Sequence, residues 1–163
     1  MPHLVYILLG SNQGILAQQL ENACLAIENE IGIIEDKSSY YQTAAWGNTQ
    51  QDAFLNQVIL VRTELNPKET LEKLLAIETK MGRQRITKWE PRMIDLDILF
   101  YDVLVLNEKD LIIPHPHIQD RMFTLAPLVE IAAAFIHPVL HLSMKTLLEI
   151  CPDPLMVEKM GGN

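Results

Sequence analysis

The run Arg92-Met93-Ile94-Asp95-Leu96-Asp97-Ile98-Leu99-Phe100-Tyr101 carries two carboxylates, two residues apart, in a stretch that otherwise alternates apolar side chains. In a strand, the period of two puts Ile94, Leu96, Ile98 and Phe100 on one face and Asp95 and Asp97 on the other. Their Cα atoms would lie ~6.5 Å apart, and the charges would repel by roughly 2–3 kcal/mol at an effective dielectric near 20. A cation between them relieves that cost. Carboxylates without neighbouring cysteines or a full histidine set favour a hard ion, and Mg²⁺ is commonly held by one or two carboxylates together with substrate phosphates. The plainer alternative is a set of salt bridges from Asp95 and Asp97 to Arg83, Arg85 or Arg92.

The preceding loop tips the balance towards phosphate chemistry. Gly82-Arg83-Gln84-Arg85-Ile86-Thr87-Lys88-Trp89-Glu90-Pro91-Arg92 holds three of the chain's five arginines, although the protein as a whole carries a net charge of −8. A guanidinium fork matches phosphate oxygens, and a transferring phosphoryl group needs positive charge more than covalent help. Trp89 is a large aromatic in a polar loop; it either closes over a flat ligand or packs on its own loop. Glu78 falls on the apolar stripe of a helix and needs a partner, for which an arginine of the following loop or His115 is available; a structural ion pair is the favoured role. In Pro114-His115-Pro116-His117, too few soft ligands stand nearby for zinc, and His115 is better suited to donating a hydrogen bond to a phosphate.

These residues need elements to hold them. Leu4 to Leu9 is a continuous apolar run, which predicts a strand covered on both faces in the middle of a sheet. Gly10-Ser11-Asn12 breaks it as a strand-to-helix turn without the G-K-[ST] of a phosphate loop, and Ser11 or Asn12 is placed to cap a helix reaching about Ile31. Ile33 to Tyr41 predicts a second strand and Leu55 to Glu64 a third. Asn66-Pro67 opens a second helix with Leu71, Leu74, Leu75 and Met81 as its stripe. Met93 to Tyr101 predicts a strand that turns at Asp102 into a hairpin with Val103 to Leu106. Leu111 to Pro114 adds an edge strand, and Thr124–Ala134 and Ser143–Cys151 two short helices. The last dozen residues look poorly anchored. The order β-α-β-β-α-β followed by a hairpin and helices predicts an α+β, ferredoxin-like antiparallel sheet with helices packed on it.

Composition agrees with one soluble domain spanning 1–163: 48% of residues are hydrophobic and 21% charged. The longest apolar runs are too short for a bilayer, and the Met1-Pro2-His3 start lacks the pattern of a secretory signal, so a cytoplasmic protein without membrane contact is expected. Cys24 and Cys151 stand far apart without a C-x-x-C pattern and read as buried free thiols. The acidic balance argues against nucleic acid as a partner.

The assembled motifs resemble the 6-hydroxymethyl-7,8-dihydropterin pyrophosphokinase family. They are Leu9-Gly10-Ser11-Asn12, Tyr41-Gln42-Thr43, Phe54-Leu55-Asn56, Gly82-Arg83-Gln84-Arg85, Trp89-Glu90-Pro91-Arg92, Asp95-Leu96-Asp97-Ile98, Ile113-Pro114-His115 and Arg121-Met122-Phe123, in the family's order. The resemblance implies transfer of the β,γ-diphosphate of ATP to the pterin hydroxymethyl group, with release of AMP, in folate biosynthesis. It also implies two Mg²⁺ ions on Asp95 and Asp97, with Arg83 and Arg92 acting on the phosphates. Arg85, His115, Arg121 and the backbone around Ile98 would be further ATP contacts. For the pterin, it implies Asn56 at the ring edge, Phe123 on the ring face, Phe54 and the backbone from Thr43 through Ala44 and Ala45 to Trp46 around it, and Trp89 as a lid. The partners are then small molecules, ATP and a reduced pterin, and the resemblance leans towards a monomer. Leu75, in place of a glutamine, and Pro116, in place of a tyrosine, depart from some relatives on the nucleotide side. The rival reading is a ferredoxin-like sensor that binds a pterin or nucleotide without turnover. An RNA reader fits poorly, because a strand face bearing aspartates repels phosphates.

Overall fold

The computed structural model describes residues 1–12, 16–43, 54–82 and 94–160. Its elements follow in the order β1 (His3–Ser11), α1 (Leu16–Glu30), β2 (Gly32–Lys37), β3 (Tyr41–Thr43), β4 (Phe54–Thr63), α2 (Pro67–Met81), β5 (Asp95–Tyr101), β6 (Leu106–Glu108), β7 (Leu111–Ile113), α3 (Met122–Ala132), α4 (Met144–Ile150) and β8 (Val157–Lys159). The main sheet runs β5-β1-β4-β3-β8, with β2 also on β4, and its pairs are antiparallel. The expected α+β arrangement is what the chain adopts. Among the described residues, no helix is long and apolar enough to cross a membrane.

β1 lies inside the sheet because it is apolar on both faces. Val5, Ile7 and Leu9 join Leu20, Ala23 and Ile27 of α1 and Leu74 and Ile77 of α2 in one core cluster. Leu8 joins Leu125 and Leu128 of α3 and Met144 and Leu147 of α4 in a second cluster on the opposite face. Cys24 is a buried free thiol, and Cys151 is free and half-buried.

α2 starts where Asn66-Pro67 predicts. The Asn66 side chain accepts from Glu69 N at 2.8 Å and the Glu69 carboxylate accepts from Asn66 N at 2.9 Å, a reciprocal capping box with Pro67 in the first turn. Leu74 is buried as expected and Thr70 and Ile77 are buried with it, whereas Leu75, expected on the stripe, is 48% exposed.

Several local expectations are corrected. Ile33 to Tyr41 is not one strand: β2 and β3 pair with opposite ends of β4, and the Ser38 hydroxyl accepts from Val58 N at 3.0 Å between them. Ser11 is the last residue of β1. Phe100 does not share a face with Leu96 and Ile98. The β1–β5 register shifts between Tyr6 and Ile7, Leu99 becomes the extra residue of a bulge, and Phe100 turns into the second cluster. The hairpin forms from β6 and β7, not from β5 and its successor, because Asp102 adopts φ 50 and its carboxylate accepts from Leu4 N, which ends β5 against β1. The C-terminal residues, expected to be loose, form β8 on β3.

Glu130 of α3 ties that helix to β3. Its carboxylate accepts from Tyr41 Oη at 2.7 Å, Ser39 N at 3.0 Å and Ser39 Oγ at 2.9 Å, with Lys159 Nζ of β8 at 4.0 Å. Burial pushes the carboxyl's pKa up, but the hydrogen bonds from Tyr41 and Ser39 outweigh it and hold it below the ordinary value. A carboxyl depressed in the folded state contributes stability above its unfolded pKa, and that stability is lost as pH falls. Glu130→Ala is therefore expected to cost about 1–2 kcal/mol in urea unfolding at neutral pH, with the difference from wild type shrinking in acid below the carboxylate range.

Candidate active site

Alternation and register bring the chemistry-bearing residues to one sheet face. Gly10 of β1 stands opposite Asn56 of β4 and Asp95 of β5, Tyr41 of β3 continues the row beyond Asn56, and Thr43 pairs with Phe54. Leu8 stands opposite Asp97, one step along the same face. Leu8, Gly10, Thr43, Phe54, Asn56, Asp95 and Asp97 line a cavity of about 320 Å³, completed by Arg121 and Phe123 from the start of α3 and by Leu155 from the C-terminal segment.

Polar groups are set into this apolar cavity with little water around them. Asn56 is 4% exposed and Thr43 is 3% exposed. The Thr43 hydroxyl is buried and finds no hydrogen-bond partner among the described residues. A buried hydroxyl without a partner costs free energy, and a ligand atom that pairs with it recovers that cost. The Arg121 guanidinium carbon lies 5.5 Å from the Phe123 ring centroid, so the cation lies over the aromatic face that lines the cavity.

The expectation that Gly10 serves only as turn chemistry is corrected here. Gly10 sits inside the ladder of β1, and a Cβ placed on it would meet Asn56 Oδ1 at 2.7 Å. The absence of a side chain is what lets the Asn56 amide lie across the strand at the cavity floor.

Glu78 is half-buried on α2, and its Oε2 accepts from Leu96 N at 2.7 Å. A backbone group of β5 is thus a partner that neither alternative read from the sequence had named. With Leu96 N directed off the β1 side of β5, the strand period puts the N–H and C=O of Ile98 on that same outer edge. The Ile98 side chain packs in the α1–α2 cluster.

His115 does not line the cavity. It follows the cis Ile113-Pro114 bond, and its N–H donates to Leu99 O at 3.0 Å. Its ring lines another depression of about 240 Å³, with Ile113, Gln119 and His137. His115 Nδ1 accepts from His117 N at 3.1 Å, which leaves the proton on Nε2. Burial, then the charge of Arg121 and the neighbouring His117, push its pKa down to about 4.

Arg83, Arg85, Trp89, Arg92, Ala44, Ala45 and Trp46 lie outside the described residues. Of the other sequence-predicted residues, the cavity gathers Thr43, Phe54, Asn56, Asp95, Asp97, Arg121 and Phe123. Leu8, Gly10 and Leu155 are additions. A glycine interrupting a strand run is a signal for close approach of another group and could have marked Gly10, whereas nothing in the sequence marks Leu155.

The fold and site define an α+β protein with a small-molecule cavity, apolar and aromatic at its sides and carboxylate-bearing on its strand floor. The family model 7,8-dihydro-6-hydroxymethylpterin-pyrophosphokinase (HPPK) matches residues 6–133. The chain belongs to that family. It is 40% identical over 149 residues to a 2-amino-4-hydroxy-6-hydroxymethyldihydropteridine pyrophosphokinase of Synechocystis sp., covering 91% of this chain and 74% of the relative. A protein of the same name from Bacillus subtilis is 40% identical over 132 residues, 80% of this chain and 79% of the relative. Among solved structures, Plasmodium falciparum HPPK-DHPS superposes with a TM-score of 0.76 at 18% identity, over 91% of this chain and 44% of that one. This chain thus spans less than half of that solved chain, and the likeness concerns the fold.

Gly10→Ala is expected to leave stability within about 1 kcal/mol of wild type, because the obstructing atom ends a side chain that can swing away. The displaced Asn56 amide should weaken binding of a reduced pterin by about tenfold in fluorescence titration. For His115, the ring ¹H–¹⁵N signals should report a neutral Nε2–H imidazole down to a midpoint of about 4. Because the folded pKa lies below the unfolded one, this residue's contribution to stability is complete above about 6.5 and declines as pH falls from there towards about 4.

Proposed function

We propose that the chain transfers the β,γ-diphosphate of ATP to the hydroxymethyl group of 6-hydroxymethyl-7,8-dihydropterin, releasing AMP, in folate biosynthesis. The observation that carries this reading is one cavity in which a buried amide, a buried hydroxyl without a partner among the described residues and two phenylalanines share walls with two carboxylates and an arginine.

The pterin ring lies in the cavity with Phe123 on its face and Phe54 beside it. The Asn56 amide, donor and acceptor together, reads the alternating donors and acceptors of the ring edge, and the Thr43 hydroxyl takes one further hydrogen bond. The hydroxymethyl group points towards Asp95 and Asp97. These two carboxylates fit a hard divalent ion: they are oxygen donors on one strand face, two residues apart, and substrate phosphates supply the remaining ligands. We assign them two Mg²⁺ ions. Bound magnesium would polarise the hydroxyl and neutralise charge on the phosphates.

The hydroxymethyl oxygen forms a bond to Pβ, and the bond from Pβ to the Pα–Pβ bridging oxygen breaks. Its electron pair leaves with AMP, while the hydroxyl proton passes to solvent. Arg121 meets phosphate charge from the α3 side, and His115 offers a neutral Nε2–H donor. Arg83, Arg85 and Arg92 complete the phosphate clamp. Trp89 closes over the pterin, and the backbone of Ala44, Ala45 and Trp46 supplies further contacts to it. The outer backbone edge of β5 at Ile98 serves the adenine.

The test is AMP release from ATP in the presence of the pterin and Mg²⁺, with controls lacking each. AMP that depends on both supports diphosphate transfer; pterin binding without AMP would make the chain a sensor. Asp97→Ala should lower turnover by on the order of a thousandfold while pterin affinity and far-UV circular dichroism stay near wild type. Near-normal turnover in that variant would overturn the metal assignment.

A further inference from the structure

The family match ends at residue 133, yet one wall of the cavity comes from residue 155. Between Cys151 and Val157 the chain has no helix or strand of its own. It is held at two points. At one end, Asp153 Oδ2 accepts from Met122 N at 3.0 Å, in the first turn of α3, while its Oδ1 accepts from Leu155 N at 3.0 Å. At the other, β8 pairs with β3, Val157 opposite Thr43 and Lys159 opposite Tyr41, and Met160 N donates to Tyr40 O at 2.8 Å.

These anchors fall on the two elements that already supply cavity residues. Met122 stands between Arg121 and Phe123, and β3 contributes Thr43. The segment therefore runs as a strap from the helix wall to the strand wall. Along it Asp153, Leu155 and Val157 are half-buried, and Pro152, Pro154 and Met156 face outward. The alternation turns Leu155 to the cavity, and the flanking prolines restrict the backbone that carries it.

We infer that Leu155 contacts the bound substrate and limits the size of the flat bicyclic heterocycle that the cavity admits, with Asp153 as the positioning residue of the strap. The inference rests on the reading that the cavity takes the pterin. An aliphatic side chain against the non-reacting ring removes apolar surface from water equally in the ground and transition states. Such a contact governs the KM for the pterin and leaves kcat alone. Nothing in this contact touches the nucleotide, so the KM for ATP should not follow it.

The experiment compares full-length wild type, Leu155→Ala, Leu155→Met and Asp153→Ala in steady-state AMP release, varying the pterin at saturating ATP–Mg²⁺ and then the reverse. Thermal melts of each variant run alongside. Leu155→Ala should raise the pterin KM by roughly tenfold, with kcat and the ATP KM within about twofold and the melt unchanged. Leu155→Met, which nearly conserves volume, should stay close to wild type. Asp153→Ala should raise the pterin KM selectively even though it leaves Leu155 in the sequence. A reduced pterin with one extra ring methyl should gain on the parent substrate in Leu155→Ala. With an active wild type, an unchanged pterin KM in Leu155→Ala, or equal rises in both KM values, overturns the inference and leaves the reading of the cavity standing. Absence of AMP release and of pterin binding in wild type overturns that reading and this inference with it.

Discussion

The site depends on one constraint: side chains in an antiparallel sheet alternate, and neighbouring strands are locked in register. Across β5, β1, β4 and β3 this produces a row of Asp95, Gly10, Asn56 and Tyr41, with Asp97 and Leu8 one step away. A slip of one residue in any pair would send its members into the α1–α2 core, where a carboxylate or an amide has no business. The apolar packing of Val5, Ile7, Leu9, Leu96 and Ile98 on that hidden face therefore fixes the polar row on the other. Stability of the core and placement of the chemistry are one set of contacts viewed from two sides.

Over that row α3 acts as the second wall. Its first turn brings Arg121 and Phe123 to the cavity, and Glu130, two turns beyond Phe123, lies on the same side of the helix and grips Ser39 and Tyr41. Tyr41 belongs to the row that carries Asn56, so the helix is pinned to the strand whose partners form the floor. The second core cluster, from Leu8 and Val58 to Leu125 and Leu128, closes the remainder of the interface. The cavity lies at the end where Gly10 has no side chain and α3 begins.

Much of this was legible in the sequence because it depends on local periodicity. The two aspartates on one strand face, the buried β1 and the Asn66-Pro67 helix start each follow from a few adjacent residues. The misread features depend on contacts distant in sequence. Phe100 changes sides because one extra residue, Leu99, is inserted opposite β1, and no pattern within β5 reveals a bulge set by its neighbour. The last dozen residues were expected to be poorly anchored, but Val157 to Lys159 find an edge of β3 that only the folded sheet offers. Gly10 looked like a turn: a glycine in a strand run signals close approach of another group, but which group approaches, the Asn56 amide, is seen only in the folded sheet. The arginine loop and Trp89, central to the sequence argument, lie outside the described residues, so that half of the reading stands on residue type and spacing.

Charge placement explains how an acidic chain can attract ATP. With a net charge of −8, the long-range field repels a polyphosphate, so local groups must reverse it. Arg121 lies over the Phe123 ring, where the aromatic face favours the cation and part of its hydration is already gone. Beside it, His115 is held neutral, because a second cation so close to Arg121 would be repelled and poorly solvated. A neutral imidazole still has an Nε2–H to donate. The carboxylates on β5 work the other way: alone they would repel a triphosphate, and on the proposed assignment a divalent ion held by them would draw it in. On that assignment, nucleotide attraction at this site is conditional on the metal, and the surrounding acidity enforces the condition.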